Sequence, residues 1–170
     1  DGLLQQANAA MEAGDFAAAV APLRQAWDES GQQHEITIAY AHCLIESKRL
    51  DEAQAVLEGV RMVDQDAAYE QLMAQLEIKR EAAQSPEMDA LEQALAANPD
   101  DHESRVNLAI QYTNAGRFRE ALENLIMVLQ KDLDHGNGST RKALLDTIAS
   151  LGKGDPLAAE FQRKLYSLIY

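Results

Sequence analysis

The sequence predicts an all-α fold built from stacked two-helix repeats, and three observations lead to this expectation. Similar short segments recur along the chain at a fixed spacing, which indicates internal repeats. No segment alternates apolar and polar residues over a useful length, so we expect no sheet. Aromatic residues make up only 5% of the 170 residues although 46% are hydrophobic, and this composition favours closely packed helices with an aliphatic core.

The spacing is clearest at three alanines in the similar segments. Ala19 and Ala53 are 34 residues apart, and Ala121 follows after twice that distance, so a hidden unit is expected near residue 87. A second small residue precedes each alanine by twelve positions, at Ala7, Ala41 and Ala109. A period of 34 with a small pair is typical of the tetratricopeptide helix-turn-helix, in which the two helices approach closely. The sequence therefore predicts a tetratricopeptide-repeat (TPR) α-α superhelix rather than an irregular helical bundle.

We assign about four repeats to residues 1–134, with approximate bounds 1–33, 34–67, 68–100 and 101–134, and a C-terminal helix pair at 139–170 that caps them. Capping residues, prolines and glycines predict ten helices. Their expected positions are near 2–13, 16–29, 34–47, 50–61, 66–83, 86–97, 101–114, 118–131, 140–151 and 156–169.

The third unit departs from the small-pair pattern. Gln75 and Glu87 stand where the other units have alanine. Because both partners of the close contact are larger, we expect this helix pair to be splayed or shifted in register, with Ala74 and Ala90 taking over the contact.

Charge and composition exclude several classes of function. The net charge of −13 disfavours nucleic acid and anionic membranes as partners, and no run of about 18 apolar residues is present. None of the four histidines has a Cys or His partner at i+3 or i+4, so we predict no metal site and no cofactor. Cys43 lies in an apolar run and is interpreted as a small core residue rather than a redox group. We therefore predict that the chain is not an enzyme.

Two surfaces are candidates for binding other proteins. The first is the concave groove that the first helices of such repeats line. The 34-residue offset places these residues there: Leu4, Asn8, Met11, Ile38, His42, Ile45, Leu72, Leu76, Val106 and Ile110. The apolar character of the groove suits an amphipathic helix or an apolar client segment, and it lacks the cations that would clamp a carboxylate. Alternatively, the aliphatic residues only pack between adjacent helices.

The second candidate is the last helix. Leu157, Phe161, Leu165 and Leu168 form one apolar stripe at helical spacing, which predicts a buried face. Tyr166, Ile169 and Tyr170 lie off this stripe, although the outer face of a terminal repeat is normally polar. These three residues indicate a docking site, or else a wider buried face or a frayed end.

The second half resembles one family more closely than the repeat pattern alone requires. The segments 65–77, 141–155 and 163–170 resemble the C-terminal domain of the YbbN thioredoxin-like co-chaperones, also called chaperedoxins. The resemblance implies a cytoplasmic protein that binds unfolding clients under stress and delivers them to chaperones of the GroEL and DnaK types. It also implies an N-terminal thioredoxin-like domain, which would carry any redox chemistry.

The first residue is Asp rather than Met, so we expect a fragment of a longer protein that lacks this thioredoxin-like domain. The alternative function is a stand-alone TPR scaffold or oligomerisation adaptor. A thioredoxin-like stretch upstream of Asp1 would favour the co-chaperone.

Overall fold

The computed structural model describes residues 2–170, and these residues form ten α-helices and no strand. The helices are α1 (Gly2–Glu12), α2 (Phe16–Glu29), α3 (His34–Glu46), α4 (Leu50–Glu58), α5 (Ala67–Ala83), α6 (Pro86–Ala97), α7 (His102–Asn114), α8 (Phe118–Lys131), α9 (Ser139–Ser150) and α10 (Pro156–Ile169). The predicted all-α class is confirmed. Helix α4 is shorter than expected, because it ends before Gly59 and the chain forms a separate 3₁₀ turn at Met62–Asp64.

The chain divides into two compact units. The first contains α1 to α5 and ends at Ala83, and the second contains α6 to α10 and begins at Gln84. In the first unit, consecutive helices pack on one another and α3 also contacts α5. In the second unit, α7 packs on α6 and α8, while α9 and α10 pack on α8 and on each other.

The small pairs are buried within the paired helices, as the sequence predicts. Ala7 and Ala19 on the α1–α2 pair are fully buried, and the same holds for the equivalent alanines of the α3–α4 and α7–α8 pairs. Since an alanine side chain is a single methyl group, it allows two helix backbones to approach where a larger residue would hold them apart.

The turns between paired helices repeat as well. Gly14, Lys48 and Gly116 occupy equivalent positions and all have positive φ, at 76°, 62° and 80°. After each one, a backbone N–H donates to a carbonyl five residues earlier, as in Arg117 to Tyr112, which closes the helix end. A left-handed residue at one fixed position therefore ends the first helix of these repeats.

The third repeat, which contains α5 and α6, departs from this turn pattern for a local reason. The equivalent position is Ala82, and there helix α5 continues to Ala83 instead of turning. In α6 the buried residues are Met88 and Leu95, the counterparts at the 34-residue offset of the buried Leu122 and Leu129 of α8. The burial of α6 therefore gives no sign of the expected shift in register, which stays a prediction.

One detail of that expectation is wrong. Ala74 and Ala90 are both exposed, so neither is a buried close-contact residue. These two exposed alanines therefore form no replacement small pair.

Candidate functional site

A concave groove lies in the first unit, between the first helices of three successive repeats. It has a volume of about 370 Å³. The lining comes from α1, α3 and α5, and its residues are Met11, Glu35, Ile38, Ala39, His42, Ala68, Gln71, Leu72 and Gln75. The lining residues of α3 and of α5 are spaced three or four positions apart, so each helix contributes one face to the groove.

Four of the predicted groove residues line this groove together, namely Met11, Ile38, His42 and Leu72. Leu4 is half-buried and packs against the core of the unit, while Asn8 is exposed beside it on α1.

Ile45 and Leu76 do not line the groove, which corrects their assignment. Ile45 is fully buried and Leu76 is 2% exposed, so both are core residues of the first unit. Sequence offset alone does not separate them from groove residues, because lining and core positions on these helices are both apolar. Sequence reasoning, in turn, did not name Glu35, Ala68, Gln71 or Gln75 as lining residues.

The groove combines an apolar floor with a few polar groups. The His42 ring meets the Phe16 ring edge to face, with centroids 5.4 Å apart, so its position is fixed from the α2 side. Glu35 is the single carboxylate among the lining residues. The Gln75 side-chain oxygen is buried without a hydrogen-bond partner. This arrangement suits apolar side chains and hydrogen-bond donors rather than anions.

The two remaining groove residues of the prediction lie on α7, in the second unit. Val106 is half-buried and Ile110 is 46% exposed. Ile110 is therefore a large apolar side chain available at the surface of that unit.

At the C-terminal end, the predicted stripe of α10 forms a buried face. Phe161 is fully buried, and Leu157 and Leu165 are buried beside it, whereas Leu168 is only partly buried. Arg119 of α8 donates two 3.0 Å hydrogen bonds to Glu160 of α10. The Arg119 bonds and the neighbouring Lys164 lower the pKa of Glu160 to about 2, so this carboxylate is charged at neutral pH.

The three predicted docking residues lie outside that buried face. Tyr166 is 50% exposed, Ile169 38% and Tyr170 99%, so a wider buried face does not account for them. The rings of Tyr166 and Tyr170 are neighbours, with centroids 6.5 Å apart. Together the three form an exposed apolar patch, which we call the C-terminal patch.

Cys43 is a core residue, which agrees with its interpretation from the sequence. Its side chain is fully buried, and burial, together with the nearby Glu46 carboxylate, raises the pKa of the thiol to about 11. The thiol is therefore protonated at neutral pH and inaccessible, which is unsuited to thiolate chemistry. Among residues 2–170, no group of three or more His, Cys, Asp or Glu side chains is arranged to hold a metal ion. No helix in this range is long and apolar enough to cross a bilayer.

A further opening, which sequence reasoning missed, lies between α4 and α5. It has a volume of about 550 Å³, and its lining residues are Gln54, Glu70, Met73, Ala74, Leu76, Glu77, Arg80 and Glu81. The sequence contains one indication of it: Ala74 is small, whereas the residues 34 positions before and after it, Tyr40 and Leu108, are large. We call this opening the α4–α5 seam.

Comparison with known proteins agrees with the repeat architecture. Two family models described as tetratricopeptide repeat match residues 81–170 and 10–76. An uncharacterized protein of Haemophilus influenzae is 35% identical over 167 residues, which cover 98% of this chain and 76% of that protein. A crystal structure of a domain of protein VP0806, of unknown function, from Vibrio parahaemolyticus is 38% identical, with a TM-score of 0.77 over 99% of this chain and 98% of that one.

Proposed function

We propose, from the premise that the chain belongs to the tetratricopeptide-repeat family, that its concave groove binds apolar segments of other proteins. Repeats of this family form protein-interaction modules and are generally non-catalytic scaffolds, because stacked helix pairs create an extended concave surface. The observation that carries the proposal is the convergence of Met11, Ile38 and Leu72, from three successive repeats, on one groove.

The chemistry of the groove favours an apolar segment with few negative charges. Its apolar floor is accompanied by one carboxylate, from Glu35, and by no lysine or arginine among the lining residues. The whole chain has a net charge of −13, which repels acidic partners at long range. Unfolding proteins expose apolar segments of this kind, and basic or neutral ones are favoured.

The finer proposal is a co-chaperone module of the YbbN type, acting in the cytoplasm beside a thioredoxin-like domain. Its support is the resemblance of segments 65–77, 141–155 and 163–170 to that family, together with the exposed apolar C-terminal patch. In this proposal the groove holds the unfolding client, and the C-terminal patch contacts a chaperone of the GroEL or DnaK type.

The groove is tested with Gln71→Arg, which places a long cation into the groove from an exposed position. Gln93→Arg is the matched control, because Gln93 is also exposed on a helix but lies on α6. Binding of reduced, carboxymethylated α-lactalbumin, a permanently unfolded protein, is measured by fluorescence anisotropy. We expect Gln71→Arg to weaken binding about tenfold, with Gln93→Arg unchanged. Equal binding by both variants would remove the groove as the client site.

The C-terminal patch is tested separately with the double substitution Tyr166→Ser and Tyr170→Ser. Both rings are exposed, so the fold of α10 should persist. Leu145→Ser is the control, since Leu145 is an exposed apolar residue of α9 in the same unit. Loss of binding to immobilised GroEL-type chaperonin in the double variant alone is the expected result. Unchanged chaperonin binding would rule out the patch as the contact.

A further inference from the structure

We propose that the α4–α5 seam is a second binding site, separate from the concave groove, which takes a basic amphipathic helix of a partner protein. The partner helix would insert one large aromatic or aliphatic side chain between α4 and α5 and place lysines or arginines against the glutamates around it. The proposal does not depend on the concave groove or on the co-chaperone function.

One repeat earlier, a large aromatic residue packs between α2 and α3. The Tyr40 ring of α3 is 5.3 Å from that of Trp27, and its hydroxyl accepts a 3.1 Å hydrogen bond from Arg24. Tyr40 is only 4% exposed. This ring therefore fills the contact between α2 and α3 at its position.

At the corresponding sequence position, 34 residues after Tyr40, helix α5 has the exposed Ala74. The buried face of α5 differs from that of α3, because Ala74 and Ile78 are exposed where the sequence offset matches them to buried residues of α3. An opening of about 550 Å³ lies beside Ala74, between α4 and α5. In α7 the corresponding residue, Leu108, is large and is 3% exposed.

The floor of this opening is apolar. Met73 and Leu76 flank Ala74, and Leu76 belongs to the buried core. Ile78 lies one turn after Ala74 on the same helix and is 66% exposed. Exposed aliphatic surface beside an opening between two helices is the usual setting for a helix that docks into a groove.

The rim of the opening is acidic. Glu70, Glu77 and Glu81 line the seam, against one cation from Arg80. The spacing i, i+7, i+11 places the three carboxylates along one side of α5. Two net negative charges around an apolar opening, on a chain of net charge −13, select a partner helix with lysines or arginines beside its apolar residue.

The experiment uses a fluorescein-labelled, alanine-based helical peptide of about 15 residues with one central tyrosine and lysines on the same face. A matched peptide has glutamates in place of the lysines. We expect the whole chain to bind the lysine peptide and not the glutamate peptide. Higher salt should weaken this binding, because ions screen the rim carboxylates.

Two variants locate the binding. Ala74→Tyr places a large ring at a lining position of the seam, and Glu77→Lys reverses one rim charge. Each should weaken binding about tenfold. Their controls are Ala21→Tyr and Asp28→Lys, at exposed positions of α2, and both should bind within about twofold of the unmodified chain.

Several outcomes would overturn the proposal. They are absence of binding to the lysine peptide, equal binding of the glutamate peptide, and equal binding by Ala74→Tyr and Ala21→Tyr. Self-association that Ala74→Tyr abolishes, seen by sedimentation, would replace the partner helix by a second copy of this chain. Thermal unfolding of every variant shows whether it is folded, and Ala74→Tyr should melt no lower than the unmodified chain.

Discussion

The α2–α3 seam and the α4–α5 seam join successive repeats of one unit, yet they are packed differently. Tyr40 fills the first with a buried ring that contacts Trp27 and Arg24. At the second, Ala74 is exposed beside an opening of about 550 Å³ between the helices. The difference teaches that a repeat fold tolerates a small residue at a seam position, because the paired alanines and the shared core hold neighbouring helices together independently.

The same comparison separates stability from binding along the chain. A filled seam adds buried area and a hydrogen bond to the fold, whereas an open seam gives up that area and presents a concave surface instead. The repeat therefore provides two surfaces in the first unit. The concave groove results from the repetition itself, and the α4–α5 seam results from a local departure from it.

The largest expected effect comes from opening the closed seam. Tyr40→Ala removes a buried ring, its contact with Trp27 and its hydrogen bond from Arg24. Truncation of a buried aromatic residue costs about 3–5 kcal/mol of the free energy of unfolding. Urea unfolding followed by circular dichroism measures the cost. A loss below about 1 kcal/mol would mean that the ring does not hold the seam.

The next effect concerns the small pairs, which hold the helices together whether a seam is filled or open. Ala53→Leu should overpack the fully buried α3–α4 contact and cost about 1–3 kcal/mol. Glu87→Leu, at the equivalent but exposed position of α6, should cost clearly less. Equal losses in the free energy of unfolding for the two variants would contradict the assignment of the third repeat as the exception to the small-pair pattern.

The repeat architecture is predictable from sequence because it depends on many positions at one period. Ala19, Ala53 and Ala121 were enough to place three helix pairs, and all three are fully buried. Trp27 lies at the seam of the first two repeats, where such a residue is expected, and its indole N–H donates a 2.8 Å hydrogen bond to Thr37.

The site residues are less predictable, because apolar character does not reveal which side of a helix is covered. Ile45 and Leu72 are both aliphatic, buried residues of first helices, yet only Leu72 also lines the groove. The end of α5 is a local outcome: Ala82 continues the helix where Gly14 and Gly116 end it.

The ion pair between α8 and α10 gives a smaller effect on stability, and this effect depends on pH. Glu160 accepts two hydrogen bonds from Arg119 between α8 and α10, and the pKa of Glu160 is lowered from 4.5 to about 2. Because the folded pKa is depressed, the stabilisation is present above pH 4.5 and is lost as the pH falls toward 2. Glu160→Gln should cost about 1 kcal/mol at pH 7, since the pair is partly exposed.

The measurement is urea unfolding of the unmodified chain and of Glu160→Gln from pH 7 to pH 2. The two free energies of unfolding should converge between pH 4.5 and 2. A constant difference across that range would show that the carboxylate charge does not stabilise the contact between α8 and α10.

The contrast between a closed and an open seam is tested most directly by thiol labelling. The native Cys43 is fully buried, with the pKa of its thiol raised to about 11, so it contributes little background. In native conditions, a thiol introduced by Ala74→Cys should react with Ellman's reagent at about the rate of a free peptide thiol, whereas one introduced by Leu108→Cys should react at least about a hundredfold more slowly, because its labelling requires local opening. Slow labelling at position 74, or equal rates at both positions, would contradict the account.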